Sequence, residues 1–303
     1  MPSLRRALII VTSFATVLGL YACYLSSFSS SGSPKSFGTP LDPDAFKNAP
    51  LDSLRSDSDS AELDITDMAY LAPLKTLVVN ATAKHTATVL FVHGLGDSGY
   101  GWEPVAQMLG REKSLAHVKW ILPHAPEQPV SANGGMVMPS WFDIRSFSLN
   151  SDEDEPGMLR TTHLLNQLIT AEVDSGIPPA NIVLGGFSQG GAMTLLTGLT
   201  TERKLAGLAV LSGWLPLAGK VKAMVSDHAR KVPIFWGHGT EDPIVRFENC
   251  QRSVAFLKSE LKIAEGPDGL SLNVYPSMQH ATCNQELIAL KAWLERVLPA
   301  PQA

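Results

Sequence analysis

The stretch VLFVHGLGDSGYGW, Val89 to Trp102, can be read in two ways that lead to different folds. An apolar run followed by Gly94, Gly96 and Gly99 spells GxGxxG, the pyrophosphate-binding turn of a dinucleotide fold. The same glycines would also let backbone N–H groups face a developing alkoxide, as the loop after an early strand does in a serine hydrolase. A dinucleotide site wants an acid about twenty residues on, at the end of the next strand, to bind ribose hydroxyls. That region reads LAHVKWILPHAPE, Leu115 to Glu127, and no acid sits within its strand.

A second stretch decides between them. NIVLGGFSQGGAMTLLTGL, Asn181 to Leu199, places Gly186, Ser188 and Gly190 in GxSxG between an apolar strand-like run and a helical one. This is the pattern of a nucleophile elbow, whose turn forces the serine into a strained conformation and admits only small residues two positions to either side. The competing reading is a tight packing turn. A serine hydroxyl is a poor nucleophile unless a histidine takes its proton and an acid fixes the imidazole tautomer, and in this fold the chain order is Ser, acid, His.

After Ser188, Asp242 follows the apolar run VPIFWGHG and sits at a strand tip. Asp268, in EGPDGL, reads as turn chemistry, and Asp227 lies in a polar helical stretch. Three histidines follow Ser188. His228 lies among polar residues, His238 precedes Asp242 and breaks the order, and His280 falls in a loop between the last strand and the last helix. The expected triad is Ser188, Asp242 and His280. HGLGD then reads as the oxyanion loop, with the backbone N–H of Leu95 paired with that of Gln189.

Elsewhere, apolar runs alternate with helical patterns. KTLVVN, TVLFVHG, VKWILPHAP, NIVLGGFS, LAGLAVLSG, VPIFWGHG and LSLNVYP read as strands. Helices are expected at Trp102 to Leu109, Met158 to Ser175, Gly191 to Leu199, Phe247 to Leu261 and Asn284 to Leu298. Near-continuous apolar strands separated by helices predict an α/β fold, a mostly parallel sheet covered on both faces. The acidic run SDEDEPG, 151–157, reads as a solvated loop leading into a helix.

Composition excludes other classes. With 24 Lys and Arg against 29 Asp and Glu, the net charge of −5 offers no basic field for nucleic acid. Cys23, Cys250 and Cys283 are too scattered for a disulfide framework, and no HExxH, CxxC or close histidine pair suggests a metal. No cofactor is expected.

The front of the chain differs in character. Residues 7–25, ALIIVTSFATVLGLYACYL, follow Arg5 and Arg6 and are nearly long enough to cross a bilayer. They read as an uncleaved anchor, with a cleaved signal peptide or a transit peptide as rivals. A Ser/Pro/Asp-rich linker follows, so the expected organisation is anchor and linker over 1–59 and a catalytic domain over 60–303. An anchor with its arginines inside would put that domain across the membrane, and glycosylation of Asn80, in the sequon NAT, would report it.

From Leu71 to Pro299 the chain resembles the acyl-protein thioesterases of the phospholipase/carboxylesterase family of α/β-hydrolases. The likeness rests on HGLGDSGYGW, PSWFD, GGFSQGGAM, LSGWLP, HGTEDPIV and MQHATC occurring together in family order. It implies that Ser188, Asp242 and His280 match the family's triad and that Leu95 and Gln189 match its oxyanion positions. It also implies a segment beside the active site at Met138 to Asp143, where Trp141 either lines the substrate pocket or packs in the core. The family hydrolyses thioesters of palmitate on protein cysteines, and some members cleave lysophospholipids or simple carboxylesters. S-acylated proteins are thus the implied partners, lysophospholipids a second substrate class, and the cytoplasm the family's usual location. Residues 1–70, including the apolar run, have no counterpart in typical members and point to membrane association. A non-catalytic receptor or scaffold on the same fold is a further alternative.

Overall fold

The computed structural model describes residues 72–146 and 152–301. The apolar run 7–25 and the expected boundary near Ser60 lie outside them. Among the described residues no helix is long and apolar enough to cross a membrane.

All seven runs expected as strands are strands of one sheet: β1 (Thr76–Val79), β2 (Ala87–Val92), β3 (Val118–Pro123), β6 (Ile182–Phe187), β7 (Gly207–Leu211), β8 (Ile234–Gly239) and β9 (Leu270–Tyr275). Their spatial order is β1-β3-β2-β6-β7-β8-β9. Only β1 runs antiparallel, paired with β3 from Thr76 opposite Pro123 to Val79 opposite Trp120. The remaining pairs are parallel, which is why the central strands are apolar throughout: β2 and β7 are buried at every position.

Successive side chains of each strand go to opposite faces. Val89 and Phe91 of β2, Trp120 of β3 and Phe235 of β8 pack with Trp102 of α1 (Gly99–Gly110) and with Leu290 and Trp293 of α6 (Asn284–Val297). Leu90 and Val92, Leu184 and Trp236 pack on the other face with α2 (Glu155–Asp174), α3 (Gln189–Thr200) and α5 (Phe247–Ser259). Burying Leu90, Leu184 and Trp236, each at 0 % exposure, contributes on the order of 2 kcal/mol per side chain.

The five expected helices are present, two of them starting at Phe247 and Asn284 as expected and three with shifted starts. α1 begins at Gly99, α2 at Glu155 and α3 at Gln189, each two or three residues early, because glycine, Pro156 and Gln189 carry no apolar period. The acidic run is corrected in part. Asp154 is the N-cap of α2, accepting from Gly157 N at 3.1 Å and from Asp143 N at 2.8 Å. Glu153 accepts from Leu217 N at 2.9 Å, and burial pushes its carboxyl above the usual range. Asp154 and Glu153 thus cap and brace backbone, while Asp152 is exposed and the run leads into α2 as expected.

Three elements were not expected. A hairpin of β4 (Glu127–Val130) and β5 (Met136–Pro139) stands apart from the main sheet, and the seven-residue helix α4 (Ala218–Met224) follows β7. The hairpin matters to the site, because Gly96 N donates to Pro139 O at 2.8 Å.

Candidate active site

The carboxyl ends of β2, β6, β7 and β8 lie side by side in the sheet, so the loops that follow them meet at one edge. Between β6 and α3 the backbone turns sharply at Ser188, which sits at φ 54 and ψ −119, a conformation that costs an L-residue about 1–3 kcal/mol. The small residues flanking it have a direct steric reason. A Cβ on Gly186 would lie 2.4 Å from the Gly190 carbonyl, and a Cβ on Gly190 would lie 2.1 Å from Val92 O and 2.5 Å from His93 O. The turn therefore nests against the end of β2, where a Cβ on Gly94 would come within 3.3 Å of Ser188 Cβ. GxGxxG is here the β2–α1 loop, packed on the serine.

Three of the residues selected from sequence come together. Ser188 Oγ donates to His280 Nε2 at 2.9 Å, and His280 Nδ1 donates to Asp242 Oδ2 at 2.7 Å. The other oxygen of Asp242 accepts from Ile244 N at 2.9 Å and Val245 N at 2.8 Å. Its side chain has no exposed surface, while Ser188 is 8 % exposed. The imidazole of His280 rests on Phe187 at a ring separation of 4.7 Å, Phe187 on Trp102 at 5.7 Å, and Trp102 on Phe91 at 4.3 Å. The His280 ring is thus braced by a row of aromatic rings running into the core.

Rejected candidates lie elsewhere or serve otherwise. Asp227 is exposed, Asp268 pairs with Arg296 at 3.3 Å, and His228 meets Ser226 Oγ. His238 is buried 3.8 Å from Asp242 Oδ2, but its Nε2 donates to Val245 O at 2.8 Å, which steadies the turn that cradles the carboxylate. Burial holds His238 below the usual histidine range, so it stays neutral there. Cys250 is buried, its thiol pushed up to about 12, and Cys283 is the N-cap of α6.

Gln189 is the first residue of α3, so its N–H has no carbonyl acceptor one turn earlier within the helix. Leu95 lies in the turn closed by Asp97 N donating to Gly94 O at 3.3 Å. Both amides therefore belong to the two loops that abut at Gly94 and Ser188.

The side chain of Gln189 carries more than sequence reading assigned to it. It is fully buried, accepts from Trp141 N at 3.0 Å and donates to Phe142 O at 2.8 Å and Ser140 Oγ at 3.0 Å. One amide thus pins residues 140–142 to the elbow. Gln189→Ala would leave the Trp141 N–H buried without a partner, at about 1–3 kcal/mol, while the Phe142 carbonyl keeps Ser140 Oγ as a donor at 2.6 Å. We expect its urea midpoint to fall with an unchanged slope, and a midpoint equal to wild type would show that the clamp contributes nothing.

Trp141 is 1 % exposed and packs in the core, its Nε1 donating to His93 O at 2.8 Å. Of the two readings, pocket lining or core packing, the 1 % exposure agrees with the second, and the side chain is a floor beneath the loop. His93, not selected from sequence, sits under the same loop. Ala125 N donates to its Nε2 at 3.1 Å, so Nδ1 carries the proton and donates to Gly94 O at 2.7 Å. Burial pushes its pKa down to about 4, and a neutral ring with a fixed tautomer holds the glycine loop in place.

A cavity of about 290 Å³ adjoins this arrangement. Phe142, Ile144, Trp214, Leu215, Ile244 and Phe256 form its apolar wall, with Arg145, Asp152 and Arg252 at its polar part. Two of its lining residues bond to the site: Phe142 O accepts from Gln189, and the Ile244 N–H binds Asp242. Among the described residues no group of three His, Cys, Asp or Glu side chains is placed to hold a metal ion.

The phospholipase/carboxylesterase family model matches residues 74–298. An acyl-protein thioesterase 1 of Cryptococcus neoformans var. neoformans serotype D is 52% identical over 235 residues, covering 74% of this chain and 98% of that protein. Crystal structures of Arabidopsis thaliana SOBER1 and of Zea mays acyl-protein thioesterase 2 are also similar. The first has a TM-score of 0.66 at 37% identity, covering 70% of this chain and 99% of that one. The second has a TM-score of 0.65 at 30% identity, covering 74% of this chain and 99% of that one.

Proposed function

Because the chain belongs to the phospholipase/carboxylesterase family, a family of serine hydrolases, we propose that it is an acyl-protein thioesterase working through Ser188, His280 and Asp242. The observation that carries this reading is the unbroken relay from Ser188 Oγ through His280 to Asp242, at 2.9 and 2.7 Å, beside an apolar cavity.

In this reading His280 Nε2 takes the proton as Ser188 Oγ attacks the carbonyl carbon of the thioester. The negative charge that develops on the carbonyl oxygen meets the Leu95 and Gln189 N–H groups, a donor pair of which each member lowers the barrier by about 3 kcal/mol. The tetrahedral intermediate collapses, the cysteine thiol leaves with the proton from His280, and the acyl group stays on Ser188. Water, deprotonated by His280, then releases the fatty acid. Asp242 keeps the Nδ1–H tautomer and stabilises the imidazolium in both halves. The cavity walled by Trp214, Ile244 and Phe256 accommodates the acyl chain. The apolar run 7–25 brings the unit to a membrane, where S-acylated proteins reside.

Lysophospholipids share every step except the leaving group. The test is fatty-acid release by the full-length protein in detergent from an S-palmitoylated peptide and from a lysophospholipid. We expect kcat/KM on the peptide to exceed that on the lipid by tenfold or more. Preferential cleavage of the lipid would make the protein a lysophospholipase, and no release from either would sink the enzymatic reading.

A further inference from the structure

Two glycines at the end of β8 face α6 and the loop that precedes it. A Cβ on Gly239 would lie 2.0 Å from Met278 O, and a Cβ on Gly237 would lie 2.0 Å from Glu286 Oε1. Strand β8 therefore grips the polypeptide at two points, Met278 in the loop and Glu286 in the first turn of α6, and His280 is carried on the span between them. The first grip is reinforced by Glu241 N donating to Met278 O at 3.1 Å, and Thr240 N to Tyr275 O at 3.1 Å. The second is the Glu286 side chain, filling the space beside Gly237, whose ladder neighbours are Leu211 and Asn273; farther along the helix Trp293 packs on Phe235 of the same strand.

That side chain is 0 % exposed and neither of its oxygens has a hydrogen-bond partner. A charged carboxylate there would lack both water and a counter-charge. We propose that Glu286 is a positioning residue for His280, its neutral carboxylic acid keying the start of α6 against Gly237 and so fixing the loop that presents the imidazole to Ser188.

The groups around it agree with a neutral acid. The contact with β8 is at Gly237, which carries no charge. The titratable groups nearby are Tyr275 of β9, whose phenol is itself buried without a partner, and Cys283 of the loop, which bears on Tyr275. No cation offsets the burial, which pushes Glu286 up to about 8. Ionisation raises the energy of the keyed arrangement. Below pH 8 the acid is protonated and the loop is held; above it, the new charge drives the start of α6 away from the sheet and takes His280 with it.

The inference rests on the serine-hydrolase reading, and the experiment separates the two. Rates on a short-chain acyl thioester, corrected for spontaneous hydrolysis, are measured from pH 6 to 10 for full-length wild type, Glu286→Gln, Glu286→Ala and Ser188→Ala. Wild-type kcat is expected to fall about tenfold through an alkaline limb centred near pH 8. Glu286→Gln, isosteric and neutral throughout, should match wild type at pH 7 within about threefold and lack that limb, while Glu286→Ala loses about tenfold in kcat at pH 7 with KM unchanged. Superimposed profiles for wild type and Glu286→Gln overturn the inference while leaving the triad intact; full activity in Ser188→Ala overturns the triad itself. Should Glu286→Gln fail to fold, the infrared spectrum of the wild type decides. A protonated-carboxyl band present at pH 7 and gone by pH 10 supports the role, and its absence at pH 7 ends it.

Discussion

Ser188→Ala is expected to lower kcat on an acyl thioester by at least about 10⁴-fold and to abolish covalent labelling by a fluorophosphonate, with the fold unchanged. The loss is large because Ser188 Oγ is the atom His280 Nε2 faces, at 2.9 Å. Among the described residues, Cys250 is buried with its thiol pushed up to about 12, and His280 Nε2 is hydrogen-bonded to Ser188 Oγ and not to a cysteine. Alanine keeps the positive φ at 188, so it adds no backbone relief that would remodel the turn. What survives should be the contribution of the oxyanion amides and binding alone. A variant that retains a tenth of the wild-type rate, or still takes up the probe, would mean that Ser188 is not the nucleophile.

Asp242→Asn should cost nearly as much, about 10⁴-fold, for a subtler reason. Asp242 is an acceptor three times over: Oδ1 takes the Ile244 and Val245 N–H groups and Oδ2 takes His280 Nδ1–H. Asparagine has one acceptor oxygen. If it stays with the two backbone amides, its NH₂ points at His280 Nδ1 and selects the tautomer whose proton sits on Nε2, facing the serine it should deprotonate. If the amide flips, the turn at 244–245 loses both its bonds and the NH₂ confronts two N–H groups. Either way the base is lost while the hydrophobic core is untouched. kcat should therefore collapse with a thermal midpoint shifted by only a few degrees. Retention of more than about a hundredth of the wild-type kcat would show that Asp242 does not set the tautomer.

The sequence exposed the sheet because its central strands are buried on both faces, and a run such as TVLFVHG has few other places to go. It also exposed Ser188, because an elbow this tight needs glycine at 186 and 190, a requirement written within five residues. What it hid are interactions between distant segments. The clamp of Gln189 on Trp141 spans 48 positions, and no local period marks a glutamine that will be buried. His93 was passed over because its partners are backbone atoms at Gly94 and Ala125, which any residue could supply. Glu286 reads as an ordinary acid in a helical first turn; only the missing side chain of Gly237, on another strand, shows that it is enclosed. The β4–β5 hairpin was missed because EQPV and MVMP lack both alternation and β-branched runs.

The seam between the serine turn and the glycine loop has a consequence for divergence within such a scaffold. The two loops meet through Gly94, Gly190 and the carbonyls of Val92 and His93, with the Phe187 ring and the Ser188 Cβ as the side-chain atoms nearest a Cβ on Gly94. The spacing of the reacting centre is therefore set largely by main chain, which drift can alter only by adding atoms, and at Gly190 there is no room to add any. The wall formed by Ile144, Trp214, Ile244 and Phe256 is made of side chains, and each can be exchanged with little effect on that spacing. If the cavity holds the acyl chain, as proposed, new acyl groups would be accommodated by changes along that wall, residue by residue, while the triad stays as it is.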